Sequence, residues 1–449
     1  MLDELQNIYD DENINNDLEK EKENEKDSLP FSANALQNIM GEDFSNTQKN
    51  LKVFCRFRPP NELELSNSTN NCLLLLSPQK LMFTQEKNLE IKKEYTFDGI
   101  FDYNSPKEDF YDKACRPIIS KFIQGYNGSI ICYGETGTGK THTIREIIPL
   151  MTSQLFEYIN ESDNKDELFK IEVSSFEIYK EQINDLIDVN NKNLNIIQGE
   201  INNLINIGIN SLEQMNSLLN EIMSLRNIKE LKLHDSKSHF IIGIKLYHYI
   251  KQKNCFLISK LFLVDLEGSE RLSKNKINED NLEEQKLINK SLIALSIVVN
   301  NLNLGNNDNC SYIPYRDSKL TQVISESFGG NCYTSLILTC SKHELSSSET
   351  RNTLMFGEKA KNIKNNPVLN VQNEFNKKNK NLFLSEIVED ENENLYESIN
   401  NMNIFEKEKK FLKIQVEHLK EIIEKNKIYM EELNERIKTL ELEKKNLMK

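Results

Sequence analysis

Between residues 134 and 141 the chain reads Gly-Glu-Thr-Gly-Thr-Gly-Lys-Thr, directly after the apolar run SIICY. A strand ending in such a glycine-rich loop leaves consecutive backbone N–H groups free to surround phosphate oxygens, and a following helix adds its N-terminal dipole. Lys140 would neutralise the terminal phosphates and the Thr141 hydroxyl would reach Mg²⁺, so Gly134, Glu135, Thr136, Gly137, Thr138, Gly139, Lys140 and Thr141 form a candidate nucleotide site. Further on, LFLVDLEGSE ends a second apolar run in Asp265-Leu-Glu-Gly268. There a carboxylate can hold Mg²⁺ through water, and the Gly268 amide can sense the outermost phosphate. The string nearest to a guanine-reading N-K-x-D is Asn164-Lys-Asp-Glu167, which fails at its last position and favours ATP.

Positioning these groups requires a sheet. The runs LKVFCRF, SIICYG, FKIEVSSFEIY, FIIGIKLYHYI, CFLISKLFLVDL and TSLILTC read as strands. Between several of them lie segments with helical spacing, such as DFYDKACRPIISKFIQGY and LINKSLIALSIVVNNL. Strands alternating with helices predict an α/β domain with a central sheet covered on both faces.

The ends of the chain differ from this middle. Residues 1–50 carry 4 basic and 13 acidic side chains. Such a stretch has too few apolar groups to offset the entropy of ordering, and residues 1–49 are read as a disordered acidic leader. The net charge of -14 therefore sits largely in the leader, residues 51–370 being close to neutral with 37 basic and 40 acidic groups. Nothing in this balance points to nucleic acid. Near the other end, Leu412, Val416, Leu419, Ile423, Met430, Leu433, Ile437, Leu440 and Leu447 alternate in steps of four and three, with polar Asn426 and Lys444 in the seam. β-branched and Met residues at a with Leu at d suit a parallel two-stranded coiled coil over 405–449, and hence a homodimer. No apolar run is long enough to span a bilayer, and the opening residues lack a signal-peptide core, so membrane insertion and secretion are not expected. The eight scattered cysteines show no metal or disulfide spacing and are read as reduced thiols.

Taken in order, VFCRFRPPNELE, YGETGTGKTHT, SSFEIYKEQINDLI, HDSKSH, LVDLEGSE, INKSLIAL, YIPYRDSKLT, ESFGGN and NTLMFGEKAKNIKN resemble the kinesin motor domain, most closely that of conventional kinesins with an N-terminal motor, over about seventy per cent of the chain. The resemblance implies the kinesin variant of the P-loop fold, with a central mixed sheet, over 50–364, a neck linker over 365–378, then a flexible acidic linker at 379–404 before the coil. It implies an ATPase stimulated by microtubules that moves along them, with ATP and Mg²⁺ bound and a cytoplasmic, cytoskeletal location; a motor preceding its neck resembles the plus-end-directed members. Carried over by position, Arg56, Arg58, Pro59 and His142 border the adenine. Ser236 reaches Mg²⁺ and the γ-phosphate, and Glu270 pairs with the basic residue of the first switch, here Lys237, and helps to place water. Arg271, Lys274, Lys290, Arg316 and Lys319 face tubulin. The alternative is a non-motile, nucleotide-sensitive microtubule binder with impaired turnover.

Several residues depart from the family pattern. Lys237 stands for an arginine and loses the planar fork that can clamp Glu270. Asp235 replaces a serine, Glu135 a glutamine and Glu267 an alanine, all adding negative charge beside the nucleotide. His142 to Pro149 reads HTIREIIP, where kinesins usually insert a longer loop within the helix.

Overall fold

The structure, a computed structural model, describes residues 50–66, 71–84, 92–161, 167–233, 238–251, 255–270, 279–304 and 312–372. The acidic leader, the 379–404 linker and the coiled-coil heptads lie outside the described residues.

The chain opens with β1 (Leu51–Phe57), the short helix α1 (Glu62–Ser66) and the strands β2 (Leu73–Ser77), β3 (Lys80–Thr84) and β4 (Lys92–Thr96), which pair as a small antiparallel sheet. Next come β5 (Gly99–Phe101), α2 (Lys107–Ala114), α3 (Arg116–Ile123), β6 (Gly128–Tyr133) and α4 (Lys140–Glu161). β7 (Glu167–Tyr179) is followed by four short strands, β8 (Gln182–Asp185), β9 (Ile196–Ile197), β10 (Glu200–Ile201) and β11 (Ile207–Ile209), and by α5 (Leu212–Leu233). The long strands β12 (His239–Ile250) and β13 (Cys255–Asp265) precede α6 (Glu279–Leu304) and α7 (Lys319–Val323). β14 (Tyr333–Cys340), α8 (Ser347–Ala360) and β15 (Val371–Gln372) close the described chain.

The main sheet runs β11-β7-β12-β13-β6-β14-β1-β5 and is mixed. β13, β6, β14, β1 and β5 pair in parallel, whereas β7, β12 and β13 form a long antiparallel meander. All six residues of β6 are buried, as a parallel strand covered on both faces requires. Alternation along β1 shows the two faces: Val53, Cys55 and Phe57 join a core under α6, α7 and α8, whereas Phe54 joins the core under α2, α3, α4 and α5. The seven described cysteines are buried, and no disulfide joins described residues.

The predicted helix through Cys115 is two helices, because Pro117 stands one residue inside the second. Proline is at home in a first turn but not in a helix interior. α4 instead runs through Pro149 without a break, so no loop interrupts it. β2–β4 and the short strands β8–β11 were not anticipated; their segments are too short or too rich in Asn to show a period.

Candidate functional site

The P-loop follows β6 and ends in the first turn of α4. Gly137 and Gly139 have φ of 78° and 101°, and a Cβ at either would meet nothing within 4 Å. The backbone conformation, and not crowding, therefore requires glycine at both. The loop is pinned from inside: Thr138 Oγ1 lies 2.7 Å from Thr339 Oγ1 on β14 and donates to Glu135 O at 2.7 Å. Lys140 is 6 % exposed and donates through Nζ to Gly134 O and Glu135 O, both at 3.0 Å. Burial pulls its pKa down, opposed by the charges of Asp265 and Glu270.

β13 delivers the second half of the site, because its parallel register with β6 sets Asp265 beside Cys132 at the same sheet edge. Thr141 Oγ1 donates to Asp265 Oδ2 at 2.6 Å. Asp265 Oδ1 is buried and has no hydrogen-bond partner among the described residues. A hydroxyl and a carboxylate with a spare buried oxygen make an oxygen-donor set that fits Mg²⁺. Beyond it, Ser269 N donates to Gly134 O at 3.0 Å, stitching the segment to the loop. Glu270 grips the P-loop directly: Oε2 accepts from Thr136 N at 2.9 Å and Oε1 from Thr136 Oγ1 at 2.6 Å. Gly268 lies beneath this grip, where a Cβ would collide with Thr136 Oγ1 and with both Glu270 carboxylate oxygens.

Among the remaining expected residues, Arg56 is tied to α4. Its Nη1 donates to Thr143 Oγ1 at 2.9 Å, Nη2 pairs with Glu146, and its guanidinium lies 4.6 Å from the centre of the Phe110 ring. Arg58 forms a two-point fork with Glu64 at 2.6 and 2.7 Å. Burial alone would raise the Glu64 pKa, but the bonds from Arg58, Asn61 N–H and Ser341 outweigh it and bring it down to about 2. Pro59 and His142 are exposed. Glu135 is half-buried; burial raises its pKa, a bond with Ser346 opposes this, and the nearby Glu270 and Glu349 raise it further. Lys290 and Arg316 are exposed and Lys319 is partly buried, on helical elements that pack together, and Lys319 N donates to Glu181 Oε2 at 2.7 Å. Ser236, Lys237, Arg271 and Lys274, together with Asp235, lie outside the described residues.

Sequence reasoning missed the layer behind the site. Arg226, 4 % exposed on α5, donates from Nη1 to Ser238 Oγ at 2.8 Å and from Nη2 to Ser238 O at 3.2 Å, with Asp265 Oδ2 3.9 Å away. His239 Nδ1 accepts from Glu267 N at 3.2 Å. That fixes the proton of the neutral ring on Nε2, which lies 2.7 Å from Ser291 Oγ on α6 and donates to it. Burial pushes the His239 pKa down to about 3, with Arg226 and Lys140 adding to the effect, and the ring is neutral. Glu267 is 3 % exposed, and burial followed by the Glu270 charge pushes its pKa up to about 9. The extra carboxyl is therefore a neutral acid at pH 7, not a second anion beside the phosphates. The signal that could have found Arg226 is its place in register with Met215, Leu219 and Ile222, all buried, where a charge on an apolar stripe calls for a partner.

Fold and site together define a P-loop α/β protein whose second strand end is bonded to its phosphate loop. The family model for the kinesin motor domain matches residues 56–363, and the chain belongs to that family. The kinesin-1 heavy chain of Rattus norvegicus is 36% identical over 342 residues, covering 72% of this chain and 34% of the relative. Kinesin-related protein 3 of Dictyostelium discoideum is 36% identical over 339 residues, covering 71% and 28%. A solved structure of a fast kinesin superposes with a TM-score of 0.66 at 32% identity, over 73% of this chain and 95% of that one. The chain spans about a third of the length of the curated relatives that it matches.

Proposed function

We propose that this protein is a microtubule-stimulated ATPase that converts hydrolysis into movement along microtubules, toward their plus ends. The observation that carries the reading is the stitching of the Asp265–Glu270 segment to the P-loop through Thr141, Gly134 and Thr136. A group that senses the outer phosphate is thereby bonded to the loop that holds it.

ATP would lie along the P-loop, its phosphates against the loop N–H groups and Lys140, its base between Arg56, Arg58, Pro59 and His142. Thr141, Asp265 through water, and Ser236 would hold Mg²⁺, which supplies positive charge to the phosphates. Glu270, released from Thr136 and paired with Lys237, would orient the attacking water, and the Gly268 amide would face the γ-phosphate. No side chain needs to act as a nucleophile; positioning and charge neutralisation suffice.

Arg271, Lys274, Lys290, Arg316 and Lys319 would meet acidic tubulin through a salt-sensitive attraction. The bond from His239 Nε2 to Ser291 Oγ supports a link between the phosphate end and α6. Residues 365–378 would act as the neck linker and 405–449 as the coil of a parallel homodimer in the microtubule cytoskeleton of the cytoplasm. Among the described residues no helix is long and apolar enough to cross a membrane.

The test is steady-state ATP hydrolysis by the full chain with and without taxol-stabilised microtubules, with Lys140→Ala as the blank. Strong stimulation lost in the variant supports the motor. Microtubule binding without stimulation rejects it and supports a nucleotide-sensitive tether.

A further inference from the structure

On the sheet face that carries α6, α7 and α8, at the end of β6 away from the P-loop, lies a cavity of about 330 Å³. Gly128, the first residue of β6, lines it, whereas the P-loop leaves β6 after Tyr133. Its floor is Phe176, Gly243 and Phe262 on neighbouring strands, and Val323 and Leu204 flank them. Gly243 keeps the floor open: a Cβ there would stand 2.9 Å from Ser174 Oγ and 3.2 Å from the Phe262 ring.

The mouth is charged. Lys245 Nζ donates to Glu200 Oε2 at 3.4 Å, and Lys260 Nζ donates to Glu200 Oε1, so two ammonium groups converge on one carboxylate. The Glu200 side chain is 51 % exposed against 28 % for Lys245 and 34 % for Lys260. An anion half in water loses little when it turns outward, because water screens a half-exposed ion pair and leaves it a small contribution. The lysines, further inside, would keep a replacement carboxylate at their place.

We propose that this cavity binds a small aromatic carboxylate, with its ring over Gly243 between Phe176 and Phe262 and its carboxylate on Lys245 and Lys260 in place of Glu200. The volume suits a ligand at the small end of the usual pocket range. The phenylalanine rings offer offset or edge-on stacking, and the paired lysines favour a negative charge at one end, outweighing Glu326, which also lines the cavity and whose charge acts on Lys260. The outer wall includes Asn127 and Asn331, which also hold the segment before β15: Asn370 Nδ2 donates to Asn127 Oδ1 at 2.9 Å and Asn331 Nδ2 to Asn370 Oδ1 at 2.9 Å. The ligand would therefore sit directly behind that segment.

Calorimetric titration of the full chain with 2-naphthoate, with excess ADP and Mg²⁺ occupying the P-loop, tests this. One saturable site is expected, tightened about threefold by Glu200→Gln and weakened at least about tenfold by Lys260→Gln. Gly243→Val should abolish it, and 2-naphthylmethanol, which lacks the charge, should bind at least about tenfold more weakly. Should Gly243→Val fail to fold, the Lys245→Gln/Lys260→Gln double variant decides, since both side chains sit at the mouth and not in the core. No saturable binding to either wild type or Glu200→Gln, or binding indifferent to the two lysines, would overturn the assignment.

Discussion

Glu64 is the clearest case of one side chain held by its surroundings. It accepts both arms of the Arg58 fork, the Asn61 N–H at 2.8 Å and the Ser341 hydroxyl at 2.8 Å. Its folded pKa is depressed to about 2 from 4.5, so its contribution to stability is present in full above about pH 4.5 and is lost as pH falls toward 2. Glu64→Gln is expected to cost about 2 to 3 kcal/mol at pH 7. In denaturant titrations across pH 2 to 7 the gap to wild type should close as pH falls toward 2; a constant gap would mean that the loss is one of packing. Lys237 gives a second prediction at this scale. In the proposed pairing with Glu270 a lysine keeps the charge but offers no two-point clamp, and Glu270 is meanwhile held by Thr136. Lys237→Arg should raise microtubule-stimulated kcat several-fold at unchanged microtubule affinity. Wild-type turnover equal to or above that of the variant removes the idea.

At the level of elements, the strands that carry the site were legible because each is a long apolar run. The P-loop and Asp265–Gly268 could be placed at strand ends for the same reason. The second layer was not legible: Arg226, Ser238, His239 and Ser291 come together only through the pairing of β12 with β13 and the packing of α5 and α6, and no local spacing records such contacts. The small sheet β2–β4 was hidden too, its strands having exposed leucines such as Leu74 and Leu76 where a half-buried strand would show alternation. α4 was legible in part. Its missing loop could be read from the short spacing to Pro149, but its continuity through the proline is a packing result, with Ile147, Ile148 and Met151 all buried against the sheet. Pro149 is exposed and supplies no N–H to the preceding turn, so Pro149→Ala should stabilise the protein by about 1 to 3 kcal/mol, measured as a rise in denaturation midpoint at unchanged slope. Because no loop interrupts α4 between His142 and Pro149, inhibitors that bind at the corresponding longer loop of mitotic kinesins should have no effect at micromolar concentration on the ATPase.

For the molecule as a whole, the proposed motor requires that chemistry at one end of the sheet become displacement at the other. The segment 366–372 lies against the sheet by a series of specific bonds. Asn366 N donates to Gly330 O at 3.0 Å, Val368 N to Asn331 Oδ1 at 2.5 Å, Asn370 N to Gly125 O at 3.1 Å and Ile258 N to Asn370 O at 3.1 Å. β15 then pairs with the start of β13, and Leu369 is buried with Tyr126 and Leu257. β13 thus carries the segment at Phe256–Leu257 and Asp265 at its other end, so a single strand spans both sites. The Asn370 side chain makes three bonds in this strip, to Gly125 O, Asn127 Oδ1 and Asn331 Nδ2. Losing them costs about 1 to 3 kcal/mol of docking, which by itself would lower the docked-to-free ratio by roughly 5- to 150-fold. None of these atoms touches the P-loop or the Asp265–Glu270 segment. Asn370→Ala should therefore slow microtubule gliding several-fold while microtubule-stimulated ATP turnover stays within about twofold of wild type. Gliding and turnover falling in the same proportion would show instead that Asn370 supports the catalytic fold, and unchanged gliding would separate this segment from force production.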